Sequence, residues 1–108
     1  MSNILAIYKY PLKGEETEID LQKDFTMLDI CEFMNKIYIS AIVNTTEEKV
    51  ETIIVTAIRS GLKRDPWFFT KNTYLGTAKT RQKAYGNEKQ IIWHIFWRKK
   101  NENKKPEG

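Results

Sequence analysis

The sequence predicts a mainly β chain folded as one small domain: an antiparallel sandwich or partly open barrel of about seven strands. Three observations carry that expectation. Most apolar runs are β-branched or aromatic and end at Gly, Pro, Asn or Asp breakers. The runs recur at short, regular spacing, as strands of small all-β domains do. The 108 residues suit one domain, with an apolar share of 41% that fills a single core.

The elements follow in order. Ile4 to Tyr10 is β-branched and aromatic and is closed by Pro11, which marks an edge or first strand. Glu16, Glu18 and Asp20 alternate with Thr17, Ile19 and Leu21, a period of two that describes a half-exposed strand with a solvated acidic face. Phe25 to Met34 fits either period. As a strand it sets Phe25, Met27, Asp29, Cys31 and Phe33 on one face; as a helix it groups Met27, Ile30, Cys31 and Met34. The strand is favoured because Asn35-Lys36 forms a two-residue connection into Ile37 to Val43, a strand on composition alone. Residues 47–58 carry the same ambiguity: a Thr-Glu-Glu start offers a helix cap, whereas Val50 to Ile58 is β-branched.

From Arg59 to Thr73 regular structure weakens, broken at Ser60-Gly61 and Asp65-Pro66. Tyr74 to Ala78 is a short strand. Lys79, Arg81 and Lys83 lie two apart, so on a strand they share one face. Tyr85-Gly86-Asn87 turns the chain into Gln90 to Trp97, apolar on both faces and therefore central in its sheet. The domain spans residues 1–100, and the Lys/Glu/Asn-rich residues 101–108 form a disordered tail.

Composition narrows the function classes. Cys31 is the only cysteine, which points to a reducing compartment and reads as a small buried hydrophobe. No Cys/His set has metal-ligand spacing, no glycine-rich phosphate loop is present, and no apolar run approaches the ~20 residues that cross a bilayer. The expectation is no metal, no cofactor and no membrane. Residues 1–58 hold five lysines against ten carboxylates, whereas residues 59–85 hold seven cations against Asp65 alone. Two surfaces of opposite sign follow, one suited to anions.

The richest segment for binding is Arg59 to Lys71, where cations alternate with Trp67, Phe68 and Phe69 among breakers. Guanidinium and ammonium groups hold phosphate, and flat rings stack on bases. The candidate ligand residues are Arg59, Lys63, Arg64, Trp67, Lys79, Arg81, Tyr85 and His94. Each has a plainer reading: the rings as core residues at a loop base, the cations as a solvated rim. His94 is the only histidine; flanked by Trp93 and Ile95, it is a partly buried residue with a structural hydrogen bond or a ligand contact at a sheet edge. No nucleophile has a visible partner in the sequence, so an enzyme is not expected.

Tyr8-Lys9-Tyr10-Pro11-Leu12 and Trp93-His94-Ile95-Phe96 resemble an uncharacterised family of small phage-encoded β-rich proteins, which open on a Lys-Tyr-Pro-Leu strand and close on a Trp-His-(Ile/Val)-Phe strand. Tyr38 to Val43 and Tyr74-Leu75-Gly76-Thr77 resemble its inner motifs. The chain departs from that pattern at Ala57-Ile58-Arg59-Ser60-Gly61, where the family carries a Thr-Gly-type turn. The resemblance implies the cytoplasm of an infected bacterial host. It also implies a non-enzymatic protein that counters host antiviral defence, by sequestering a small anionic, nucleotide-like ligand or by blocking a host defence protein. Nucleic acid is a further possible partner, served by Arg98-Lys99-Lys100 and Lys104-Lys105. A homo-oligomer is expected because ligand pockets of small domains often form between subunits.

Overall fold

The computed structural model describes residues 3–101. Their seven strands are β1 (Leu5–Pro11), β2 (Glu16–Gln22), β3 (Thr26–Phe33), β4 (Lys36–Asn44), β5 (Val50–Arg59), β6 (Thr73–Ala84) and β7 (Asn87–Lys99), with one short helix, α1 (Pro66–Lys71). A first sheet is ordered β1-β4-β3 and a second β2-β5-β7-β6, and every pairing is antiparallel. Neither sheet closes on itself. The chain thus has the expected fold, a small antiparallel sandwich or open barrel, with residues 26–33 and 50–58 of the two ambiguous segments in strand. The expected tail lies outside the described residues except for Asn101.

The core forms where the alternating apolar faces meet. Ile37, Ile39, Ala41 and Val43 of β4 face Ile19 and Leu21 of β2, Ile53, Val55 and Ala57 of β5, and Ile95 of β7. Leu21, Ile39, Ile53 and Ile95 are fully buried. As the period of two requires, Glu16, Glu18 and Asp20 stay exposed beside buried Thr17, Ile19 and Leu21. β1 is an edge strand and β7 a central one, as Pro11 and the two-sided apolar run predict.

Three local expectations are corrected. The β3–β4 turn is Met34-Asn35, not Asn35-Lys36: both residues have positive φ, 51° and 64°, which matches the twist of a two-residue hairpin and leaves Lys36 in the ladder. The alternation of β3 is broken between Met27 and Asp29 by a bulge. Met27 then pairs beside core Ala41, while Asp29 and Cys31 pair beside Ser40 and Tyr38 on the opposite face, so Met27 and Cys31 do not share a side. Cys31 is half-buried on that outer face, outside the core.

The third correction is α1. Asp65-Pro66, read as a break, is a helix start: the Asp65 carboxylate accepts from the Phe68 amide at 3.1 Å, and Pro66 stands where a helix needs no amide donor. The helix lays Phe68 on Phe96, ring centroids 5.4 Å apart, on the outer face of the second sheet. Ile54 and Ile58, on the face of β5 away from the core, are also buried.

Candidate ligand-binding site

Beside α1 the outer face of the second sheet is open. The register aligns Thr77 of β6, His94 of β7 and Ile58 of β5 across that face. Directly after β5 the chain turns over the sheet at Ser60-Gly61: the Ser60 amide donates to the Ile92 carbonyl at 3.1 Å, and Gly61 takes φ 95°, a conformation that a side chain would strain. The turn brings the Ser60 hydroxyl to 2.8 Å from His94 Nε2. On the other side of the ring Thr77 Oγ1 lies 3.4 Å from Nδ1, and Thr77 is itself hydrogen-bonded to the Tyr74 hydroxyl. A line of four polar side chains, Ser60, His94, Thr77 and Tyr74, therefore fixes the imidazole plane.

Ser60 and His94 of this line form one wall of a cleft of about 410 Å³. Leu62, Phe69 and Phe96 supply its apolar side, and Ile58 and Arg59 are also in its lining, although the register pairs Arg59 with Trp93 and not with His94. Phe69 keeps half its surface free, and it is held edge-on against Phe68 and Phe96. The cleft thus combines a cation, a hydroxyl, an imidazole and a flat ring, in a volume typical of small-molecule sites.

The eight sequence candidates divide. Arg59 and His94 meet in the cleft. Lys79 projects from the same face as Thr77, one pleat further along β6, and is exposed; Arg81 and Lys83 continue the row outward. Lys63 is exposed in the loop before α1, and the Arg64 guanidinium lies over the Phe68 ring at 4.7 Å. Trp67 is not in the cleft lining: it is half-buried with Arg98 over its ring at 5.7 Å, so Phe69 takes the stacking position. Tyr85 is fully exposed with φ 52° at the β6–β7 turn, seven pairings along the hairpin from the Thr77–His94 pair. It does not join this cleft.

Sequence reasoning missed Ser60, Thr77, Tyr74 and Phe69. Ser60 lies in the turn after β5, Tyr74 and Thr77 on β6 and Phe69 on α1, a grouping that carries no information until the strand order is known. The statement that no nucleophile has a partner is also revised, since Ser60 is one. His94 nevertheless faces a threonine hydroxyl on Nδ1, where a catalytic triad places a carboxylate. Missed too was a second hollow of about 290 Å³ at the open end of the sandwich, walled by Leu12, Ile37, Ala57 and Trp93. Two of its polar neighbours are committed internally: Trp93 Nε1 donates to Thr80 Oγ1 at 2.8 Å, and the Asn35 amide is bound to the Arg81 backbone.

Among the described residues no cluster of His, Cys, Asp or Glu could hold a metal ion. No helix there is long and apolar enough to cross a membrane. No curated protein and no solved structure matches the chain. Residues 4–106, spanning both sheets, α1 and the cleft, match the pattern of a domain of unknown function (DUF7352), and the chain belongs to that family.

Proposed function

We propose that this chain is a non-enzymatic binding protein that holds a small anionic, nucleotide-like ligand in the cleft beside α1. The observation that carries the reading is the meeting of Arg59, the Ser60–His94 pair and the half-free Phe69 ring around one hollow. Arg59 holds the anion by charge-assisted hydrogen bonds, with Lys79 adding charge from the neighbouring strand. Ser60 and His94 orient the ligand's polar edge, and Phe69 covers its flat ring. The resemblance to phage proteins supplies the setting: an infected bacterium, where the protein lowers the free level of a host defence signal.

The test is a thermal-shift screen of mono-, di- and cyclic nucleotides, followed by calorimetry on hits. A hit raises Tm, and Arg59→Ala and His94→Ala each weaken it about tenfold. No shift from any nucleotide at about 1 mM overturns the reading, as does unchanged affinity in the double variant.

A second reading, a blocker of a basic host protein, draws on a different observation: β2 is an edge strand whose Glu16, Glu18 and Asp20 are exposed. Charge reversal at those three positions then abolishes a stoichiometric complex and leaves the cleft untouched. Nucleic-acid binding has less support, because Lys99 pairs with Glu51 at 3.2 Å and Lys100 with Glu18 at 2.9 Å.

A further inference from the structure

The two outer faces of the sandwich are treated differently by the chain. The second sheet receives a lid from α1, whereas among the described residues no element covers the outer face of the first sheet. On β1 that face carries Leu5, Ile7, Lys9 and Pro11, and on β3 it carries Thr26, Asp29, Cys31 and Phe33, with Tyr38, Ser40 and Ile42 of β4 between them. Leu5, Ile7 and Phe33 each leave more than 60% of their surface to water. Three such side chains on one sheet face mark an interaction surface.

We infer that this face pairs with the same face of a second copy, about a two-fold axis running along β4. The charge layout selects that partner. Lys9 and Asp29 lie at one level on opposite sides of Ser40, the midpoint of β4. Among the described residues neither enters an ion pair. A two-fold along β4 exchanges the β1 and β3 sides, so Lys9 of one copy faces Asp29 of the other, twice over. Aligned sheets pack about 10 Å apart, a gap that a lysine and an aspartate bridge together. The relative rotation of packed sheets displaces the middle level least, and both charges stand there. Because the sheet has only three strands, β1 and β3 are its edges. Both ion pairs therefore sit at a wet rim, where charge fixes register without a large desolvation penalty. The same operation sets Ile7 against Thr26 and Pro11 against Cys31, with Tyr38 and Ile42 along the axis. An isologous contact of this kind closes at two copies. It leaves the cleft beside α1 on the far side of each copy, so it stands independently of the ligand reading.

Sedimentation velocity on the intact chain tests it. At about 100 μM a dimer is expected, and Lys9→Asp or Asp29→Lys alone raises its dissociation constant about tenfold. The double variant restores the dimer, which no general effect on folding would do. Ile7→Glu yields a monomer that still unfolds cooperatively. A monomer in the parent chain, or a dimer that both single charge variants leave unchanged, or a double variant no better than the singles, overturns the proposal.

Discussion

At the scale of single residues, alternation decides which chemistry meets water. Tyr10 is on the core side of β1, paired with fully buried Ile39 and half-covered by the sandwich. Burial disfavours its phenolate, and the neighbouring Tyr8 adds to the effect, so its pKa lies above the ordinary 10.0. The folded chain keeps this proton to higher pH than the unfolded chain does. The associated stability is present below pH 10 and is lost as pH rises through the folded value. Tyr10→Phe is expected to unfold within about 0.5 kcal/mol of the parent at pH 7. Urea midpoints measured from pH 9 to 11 should fall less steeply in the variant than in the parent; parallel falls would show that Tyr10 is not the linked group. The outward positions of Glu16, Glu18 and Asp20 were legible from period two alone, whereas the inward side of Tyr10 was not, because β1 is apolar at both alternating sets. The position of Cys31 was not, because the bulge in β3 shifts the phase by one residue and nothing in Met27-Leu28-Asp29 announces it.

At the scale of elements, the β3–β4 hairpin does more than reverse the chain. Its Asn35 side chain reaches the second sheet: the amide nitrogen donates to the Arg81 carbonyl at 2.8 Å, and the amide oxygen accepts from the Arg81 backbone at 2.6 Å. Two edge strands, β3 and β6, are clasped together by one residue, five positions along each chain segment from where Ile30 packs on Gly76. A Cβ on Gly76 would meet Ile30 at 3.2 Å, so glycine here allows the sheets to approach. The clasp and the turn separate by mutation. Asn35→Gly keeps a residue tolerant of positive φ but removes both bonds, and should lower stability by about 1 kcal/mol. Met34→Gly relieves a methionine held at φ 51° and should raise stability by about 0.5 kcal/mol. Opposite shifts of the urea midpoint check this, whereas two shifts of the same sign would place the clasp elsewhere. The hairpin itself was visible from composition, but its turn was misplaced by one residue because Asn was taken as the first turn position rather than the second. The helix was missed because Asp-Pro was read only as a stop. The same two residues form a cap and a first turn whenever a ring such as Phe68 has a sheet to pack on.

At the scale of the whole molecule, strand order turns a difference between halves of the sequence into a gradient across one sheet. The acidic strand β2 and the basic strand β6 are the two edges of the second sheet. Glu16, Glu18 and Asp20 project from its outer face, as do Lys79, Arg81 and Lys83, with Phe96 and His94 on β7 between them. The acidic edge is partly satisfied from within, by Lys100 on Glu18 and by the Thr52 hydroxyl on Asp20 at 2.6 Å. The basic row is exposed along its length. Anions should therefore be drawn to the β6 edge and not to the molecule at large, although its net charge is only +4. Retention on a sulfonate cation exchanger distinguishes patch from net charge. Replacing Lys79, Arg81 and Lys83 with serine should abolish most of the retention at pH 7. Replacing Lys9, Lys23 and Lys36 with serine removes the same total charge and should leave retention nearly intact, because those lysines lie among the carboxylates of residues 1–58. Equal loss in the two triple variants would mean that net charge alone governs attraction, and the cleft beside α1 would then have no electrostatic advantage in collecting an anionic ligand.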